Sequence, residues 1–217
     1  MNKIICLTIL LGIKLCVIST PVSAAGAGET IAREGNTNGA APCVACHGNQ
    51  GQGNPDAAYP YLAGQPADYL VKQLQDFASK RRLNPLMQQI ASALSAEETN
   101  AVADYYAQLP LPDTSANHKN AVQSETGKAL ATKGKWSAGV PACFKCHGDK
   151  GQGIAPHFPA ISGQPGAYLK AQLENWQQGK RNNDQSALMQ AVVADLNDKE
   201  ISEVSEYLAA QSPMTKK

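Results

Sequence analysis

The sequence predicts an all-helical protein that consists of two copies of one domain and is preceded by an export signal. The chain of 217 residues is 43% hydrophobic and 17% charged, which is typical of a folded protein. The segment Pro42–Gly53 returns as Ala142–Gly153, at an offset of 100 residues. A period of this length is too long for a solenoid and indicates two similar domains. Apolar residues recur at helical spacing in both copies, whereas no strand-like alternation of useful length is present.

The first residues have the pattern of a secretory signal peptide. A short basic start at Lys3 is followed by an apolar run over residues 4–18, and small residues precede a cleavage site after Ala24. An uncleaved membrane anchor is the alternative, but the run is short for a membrane span and Lys14 interrupts it. We therefore expect a protein that is exported to the periplasm and that keeps four of its six cysteines.

A polar segment with two prolines, Leu109–Asn117, separates the two copies. The expected division is a signal peptide at 1–24, a first domain at 25–110, a short linker at 111–123 and a second domain at 124–217. We call residues 25–110 the first repeat and residues 124–217 the second repeat.

Helix signals recur at matching places in both repeats. A starting helix is expected near residues 25–33 and again near 125–133. A second helix is predicted after Pro66 and after Pro165. The first turn of a helix tolerates proline, and apolar residues follow each proline at helical spacing. Capping-box patterns predict a last helix, and they are Ser95 with Glu98 and Asn197 with Glu200.

The repeated Cys-x-x-Cys-His motif carries the chemistry. Cys43 and Cys46 are followed by His47, and this order returns as Cys143, Cys146 and His147. Two cysteines on one helical turn place both sulfurs on one face, with the histidine next to them. This arrangement is typical of haem c, which forms two thioether bonds and takes the imidazole as an axial iron ligand. Two such motifs in a repeat behind an export signal predict two covalently bound haem c groups.

Three other interpretations of the cysteines were weighed. A shared structural zinc would join pairs from separate repeats and would not need the adjacent histidines. A thioredoxin-like redox pair would lie near a βαβ pattern, which the sequence lacks. A disulfide within each pair would suit an exported protein but would not explain the two histidines.

Methionine is the expected second axial ligand. Only Met87 and Met189 are repeat partners, because the remaining methionine of the mature chain, Met214, lies in a polar tail. Met is a common axial ligand in electron-carrying cytochromes, although a Met in an apolar helix is more often part of a core. The histidines outside the motifs, His118 and His157, have no counterpart in the other repeat and are expected in loops.

A proline follows each motif at a matching place, namely Pro60 and Pro159. A metal-bound histidine usually donates its other ring N–H to an acceptor, often a backbone carbonyl. Each proline is therefore expected to present that carbonyl, although a simple turn proline is the alternative.

The chain resembles the di-haem cytochrome c4 family. The resemblance rests on the twin motifs, on Gly64-Gln65-Pro66 and Gly163-Gln164-Pro165, and on Asn84-Pro85-Leu86-Met87, and it covers nearly all of the mature chain. It implies two all-helical class I cytochrome c domains, each with His/Met-ligated haem, in a periplasmic carrier that serves a terminal oxidase. The second repeat departs from the pattern, since Gln185-Ser186-Ala187 precedes Leu188-Met189. Three more residues also lie between Trp176 and Met189 than between Phe77 and Met87.

Filled axial positions favour an electron carrier over an enzyme, because catalytic haem proteins need an open position. The expected partners are an upstream redox donor and a terminal oxidase. The alternative is the electron-accepting subunit of a larger oxidoreductase, such as a sulfide-oxidising flavocytochrome. A di-haem peroxidase would need one five-coordinate iron. Contact of the C-terminal tail with the membrane surface stays open.

Charge excludes one class of partner. A net charge of +1 for the full chain is no footprint for nucleic acid. The first repeat carries five basic against eight acidic residues, whereas the second carries eleven against nine. This difference in charge is either chance variation or an indication that the two repeats bind different partners. Lys145 and Lys150, which lie close to the second motif in sequence, are candidates for binding an acidic partner.

Overall fold

The computed structural model describes residues 5–8, 14–17, 24–114 and 124–212. Two strands of four residues, β1 (Ile5–Thr8) and β2 (Lys14–Val17), pair antiparallel within the expected signal segment. Most of that segment, most of the linker and the tail with Met214 lie outside the described residues, as does His118. No helix in the described ranges has the length and apolar character that a membrane crossing requires.

Ten α-helices follow in the described ranges after residue 23, and the helical class predicted for both repeats is confirmed. The first repeat contains α1 (Ala24–Glu34), α2 (Val44–His47), α3 (Ala67–Ala78), α4 (Pro85–Ser92) and α5 (Ala96–Gln108). The second contains α6 (Glu125–Thr132), α7 (Phe144–His147), α8 (Gly166–Gln177), α9 (Leu188–Val193) and α10 (Asp198–Ala209). Short 3-10 turns at Trp136–Ala138 and Gln185–Ala187 precede α7 and α9.

The predicted helix starts hold in detail. The capping boxes at the starts of α5 and α10 are both formed, so that Ser95 and Asn197 each accept from the backbone N–H three residues on. Pro66 and Pro165 stand just before α3 and α8, so these helices begin one residue after the proline. The caps fix where the last helix of each repeat begins, and hence which of its faces is buried.

The first and last helices of each repeat cross closely, and a glycine makes the contact. A Cβ at Gly28 of α1 would lie 2.0 Å from the carbonyl oxygen of Ala101 in α5. The same holds between α6 and α10, where a Cβ at Gly127 would lie 2.2 Å from the oxygen of Glu203. Because real Cβ atoms do not approach backbone oxygens so closely, only glycine allows these two crossings.

Each repeat has a small apolar core, and a third cluster joins them. The first core is centred on Ile31, Leu70, Val102 and Tyr106. The second contains Leu130, Val140, Leu169, Leu196, Ile201, Val204, Tyr207 and Leu208. Tyr61 and Leu111 pack with Ala160 between the repeats, and all three side chains are buried. The third cluster therefore buries apolar side chains where the repeats meet.

Replacing Gly28 by Ala should destabilise the first repeat. Helix propensity alone would favour Ala by about 1 kcal/mol, but the backbone collision with Ala101 forces α1 and α5 apart, at a cost of about 2–3 kcal/mol. We expect a net loss of about 1–2 kcal/mol in the free energy of unfolding, measured by urea denaturation.

Gly166→Ala is the matched control, because a Cβ there would meet its nearest neighbour, Ala209, at an ordinary 3.5 Å. It should leave stability unchanged or slightly higher. Equal effects of the two substitutions would contradict the close-crossing account.

Candidate haem sites

Each Cys-x-x-Cys-His motif forms one short helical turn on the wall of a cavity. The backbone N–H of His47 bonds to the carbonyl of Cys43 at 2.9 Å, and His147 bonds to Cys143 at 3.0 Å. These bonds bring both thiols and the imidazole of each motif to one side of the turn. The four motif cysteines are free and partly buried, and all four line the cavity. Burial raises the pKa of the Cys43 thiol, and it raises that of Cys143 to about 11.

The ring of each motif histidine is fixed by a proline carbonyl. His47 Nδ1 lies 2.8 Å from the oxygen of Pro60, and His147 Nδ1 lies 2.8 Å from that of Pro159. Because a carbonyl can only accept, each Nδ1 carries the proton and each Nε2 keeps a free lone pair. Burial lowers the pKa of both histidines, which keeps the rings neutral at pH 7. The predicted proline acceptors are confirmed.

The two repeat-paired methionines lie on the wall of the same cavity. Met87 and Met189 both line it, as do the motif cysteines and histidines of their own repeats. The backbone N–H of Met87 donates to Asn84 Oδ1 at 2.9 Å, and that of Met189 donates to Asp184 Oδ2 at 2.7 Å. The structure thus brings every sequence-predicted site residue to one cavity, whereas His157 is exposed in a loop.

The two methionine segments differ in how they are built. In the first repeat, Asn84 caps α4 and Pro85 occupies its first turn. In the second, Ser186 and Ala187 adopt left-handed backbone conformations with φ of 56° and 52° before α9 begins. There Asp184 takes the capping role, and its other oxygen accepts from Trp176 Nε1 at 3.0 Å.

A pair of buried arginines, missed in the sequence analysis, lies where the repeats meet. Arg82 and Arg181 pair through their backbones and line the cavity, and each guanidinium stacks on an aromatic ring of its own repeat. Their hydrogen-bond acceptors are uncharged, with the side-chain oxygens of Gln73 and Gln172 bonded to both. Among the described residues, no carboxylate lies within ion-pair distance of either guanidinium.

The uncompensated charge affects neighbouring groups. Burial and the adjacent Arg82 lower the pKa of Arg181. Burial would raise the pKa of the Tyr168 phenol, but Arg82 and Arg181 together lower it. The two arginines recur at an offset of 99 residues, as Gln73 and Gln172 do, so the repeat alignment contained the signal that could have found them.

Two glutamines exchange hydrogen bonds across the junction. Gln65 bonds to both backbone groups of Ala160 at 2.9 Å, and Gln164 bonds to both backbone groups of Tyr61 at 3.0 Å. These glutamines come from the two Gly-Gln-Pro segments. Each amide satisfies a buried N–H and a buried carbonyl of the other repeat, so the junction has an approximate two-fold symmetry.

These features fit haem c. The cavity has a volume of about 560 Å³ and extends from one repeat into the other. It offers two thiols, a neutral imidazole with a free Nε2 and a thioether in each repeat. The buried guanidinium groups of Arg82 and Arg181 also line it, and guanidinium groups bind carboxylates such as the propionates of haem. In the described part of the chain, no three His, Cys, Asp or Glu side chains converge on one point.

Comparison with known proteins supports the same conclusion. The cytochrome c family model matches residues 32–110 and again residues 124–212. The chain belongs to the cytochrome c family. Cytochrome c4 of Thiocapsa roseopersicina is 39% identical over 188 residues, covering 85% of this chain and 94% of that protein. The resemblance to di-haem cytochrome c4 is thereby confirmed, and the chain carries two covalently bound haem c groups.

A relative with a more specific name is also similar. The thiosulfate dehydrogenase electron acceptor of Stutzerimonas stutzeri is 41% identical over 201 residues, covering 92% of this chain and 93% of that protein. Among solved structures, a thiosulfate dehydrogenase from Marichromatium purpuratum superimposes with a TM-score of 0.79 at 33% identity. That match covers 87% of this chain but only 40% of the larger one. Reduced cytochrome c4 from Pseudomonas stutzeri superimposes with a TM-score of 0.71 at 29% identity, covering 87% and 98%.

Replacing Gln164 by Leu should weaken the junction, because the buried N–H and carbonyl of Tyr61 would lose their partner. Each unsatisfied buried group costs about 1–3 kcal/mol, so we expect a loss of at least about 2 kcal/mol in the free energy of unfolding. Urea denaturation, followed by haem absorbance and by circular dichroism, measures this loss.

The exposed Gln75 supplies the control, and Gln75→Leu should change stability by less than about 0.5 kcal/mol. A Gln164→Leu protein as stable as the Gln75→Leu protein would mean that the amide exchange does not hold the repeats together.

Proposed function

We propose that this chain is a periplasmic electron carrier with one His/Met-ligated haem c in each repeat. In this proposal, residues 25–110 and 124–217 are the two haem domains, and 111–123 is their linker. The thioether bonds form at Cys43 and Cys46 and at Cys143 and Cys146, and the axial ligands are His47 with Met87 and His147 with Met189. The observation that supports the proposal is the shared cavity, whose wall includes both motifs and both methionines.

The residues of the chain determine what the bound group can do. Bound haem c supplies reversible one-electron chemistry at iron. The carbonyls of Pro60 and Pro159 hold the imidazoles so that Nε2 is the available donor. Met87 and Met189 would supply the second ligand of each iron, which would leave no position for a substrate and would raise the reduction potential relative to a second imidazole. This arrangement supports electron transfer and gives no role to an acid, a base or a nucleophile of the chain.

We further propose that the electron donor is a thiosulfate-oxidising dehydrogenase. Support comes from two relatives named thiosulfate dehydrogenase electron acceptor, at 41% identity in Stutzerimonas stutzeri and 42% in Thiomonas intermedia. A dehydrogenation releases two electrons, and two haem sites in one chain can accept both. This favours the electron-accepting-subunit alternative, with a thiosulfate dehydrogenase in place of a flavocytochrome. We propose onward transfer to a terminal oxidase on the similarity to cytochrome c4.

The ligand proposal predicts that Met87→His and Met189→His each lower the reduction potential of one haem and leave the other nearly unchanged. The reason is that a thioether disfavours ferric iron relative to imidazole. Spectroelectrochemical titration of the holoprotein measures both potentials. Met214→His, in the polar tail, is the control and should shift neither. A methionine whose replacement shifts no potential is a core residue and not a ligand.

The donor proposal predicts that thiosulfate reduces both haems only when a purified thiosulfate dehydrogenase is present. Lys145 is exposed beside His147, so Lys145→Glu should slow this reduction several-fold at low salt by reversing a local charge, with the difference vanishing at high salt. Stopped-flow absorbance follows the reduction.

Lys199→Glu, an exposed change on α10, is the charge-matched control and should have a smaller effect. If dithionite reduces the protein but thiosulfate with the dehydrogenase does not, the donor assignment is wrong. If reduction proceeds but Lys145 and Lys199 variants behave alike, docking does not use the face around Lys145.

A further inference from the structure

The two methionine segments receive unequal support from the opposite repeat. The Met87 segment is held locally, because Asn84 and Pro85 form the start of α4 within the first repeat. The Met189 segment follows a longer connection, in which Ser186 and Ala187 both have φ near +55°. Left-handed conformations cost free energy for residues with a Cβ and persist only when surrounding contacts hold them. The second segment therefore needs support from outside itself.

Part of that support comes from α3 of the first repeat. Asn183 stands next to Asp184, whose side chain holds the Met189 backbone. The side-chain Nδ2 of Asn183 donates to Asp76 Oδ2 at 2.7 Å and to Gln73 Oε1 at 3.0 Å. Lys72 Nζ donates to the backbone carbonyl of Asn183 and pairs with Asp76. We call Lys72, Asp76 and Asn183 the clamp.

Burial and charge make the clamp a strong contact. The Asp76 side chain is wholly buried, and it accepts from Asn183 while Lys72 and Arg81 supply the compensating charge. Hydrogen bonds to charged groups contribute more than neutral ones, and their loss in a buried place is costly. The clamp thus holds both the backbone and the side chain of the residue that opens the Met189 segment.

The second repeat has no equivalent of the clamp. At the offset of 99 residues, Asp76 corresponds to Asn175 and Lys72 corresponds to Ala171. These two positions of α8 therefore offer neither an ammonium nor a carboxylate group to the Met87 segment. The first repeat thus stabilises the Met189 segment through the clamp, and the matching residues of the second repeat do not stabilise the Met87 segment in the same way.

We propose that the first repeat positions the second haem ligand: Lys72 and Asp76, through Asn183, hold the 183–189 segment so that Met189 stays at its site. This inference rests on the proposed ligation by Met189 and goes beyond it, because it makes Lys72, Asp76 and Asn183 positioning residues for a metal site in the other repeat. Any change that loosens the junction then loosens the second site and spares the first.

The test uses the full haem-loaded chain in two backgrounds. In Met87→His, the sulfur-to-iron charge-transfer band of the ferric protein belongs to Met189 alone, and in Met189→His it belongs to Met87 alone. Lys72→Met removes one arm of the clamp, and because Lys72 is 41% exposed the fold should tolerate it. Asn183→Ala removes the side-chain arm. The measured quantity is the fraction of the band lost on moderate warming, with reversibility checked on cooling.

We expect Lys72→Met to raise the equilibrium constant for loss of the Met189 band about tenfold, the effect of losing one charge-assisted hydrogen bond. Asn183→Ala should have an effect at least as large. Neither should change the Met87 band in the other background. Lys170→Met is the matched control, since Lys170 makes an ion pair of the same i,i+4 spacing with Glu174 on α8 of the second repeat.

Two results would overturn the inference. If the Met189 band is as stable in both clamp variants as in the Lys170→Met control, the first repeat does not position Met189. If the Met87→His background has no sulfur band at all, Met189 is not a ligand, and the ligand assignment fails together with the clamp. Equal weakening of the Met87 and Met189 bands would mean general destabilisation instead of directed support.

Discussion

The structure depends on a cavity that the protein's own side chains do not fill. Each repeat encloses its interior with short helices and few large residues, and the chain has only twelve Phe, Trp and Tyr residues in all. Covalent attachment at the Cys-x-x-Cys-His turn places a large flat group where an ordinary domain would have core side chains. The two motif turns lie in the walls of that space, together with Pro60 and Pro159, whose carbonyls accept from the motif histidines. The prosthetic group is then both the redox centre and much of the core, as bound metal is in other small domains.

The junction between the repeats combines buried hydrogen bonds with buried positive charge. Two glutamines exchange buried hydrogen bonds with nearly equal geometry. Two arginines line the cavity that the repeats share, and no carboxylate of the described residues pairs with either. Burying such cations costs free energy unless anions compensate their charge. The propionate groups of bound haem are anions that would do so. The same contact that joins the repeats therefore also places positive charge between two redox centres. The approximate two-fold symmetry of the junction does not include the clamp. Lys72 and Asp76 of α3 bond to Asn183 of the second repeat, whereas α8 has Ala171 and Asn175 at the matching positions.

Local patterns in the sequence predicted much of this arrangement. The attachment motifs, the repeat-paired methionines, the proline acceptors and the capping boxes depend on neighbours within a few residues or on the repeat, so one chain suffices to find them. The arginine pair and the clamp depend on how two copies pack together, which helical periodicity does not encode. Asp184 was missed because its capping role lies in an insertion without a counterpart in the first repeat. Gln65 and Gln164 were visible as a motif, but their partners lie about 100 residues away, in the other repeat.

The central claim is that two one-electron sites with Met ligands lie in one chain. A spectroelectrochemical titration of the holoprotein, with the ferric charge-transfer band recorded at each potential, tests this claim most directly. The account predicts two electrons per chain in two one-electron steps, with the sulfur band falling in proportion to both. A single electron per chain, or a band that disappears with only one of the two steps, would contradict it.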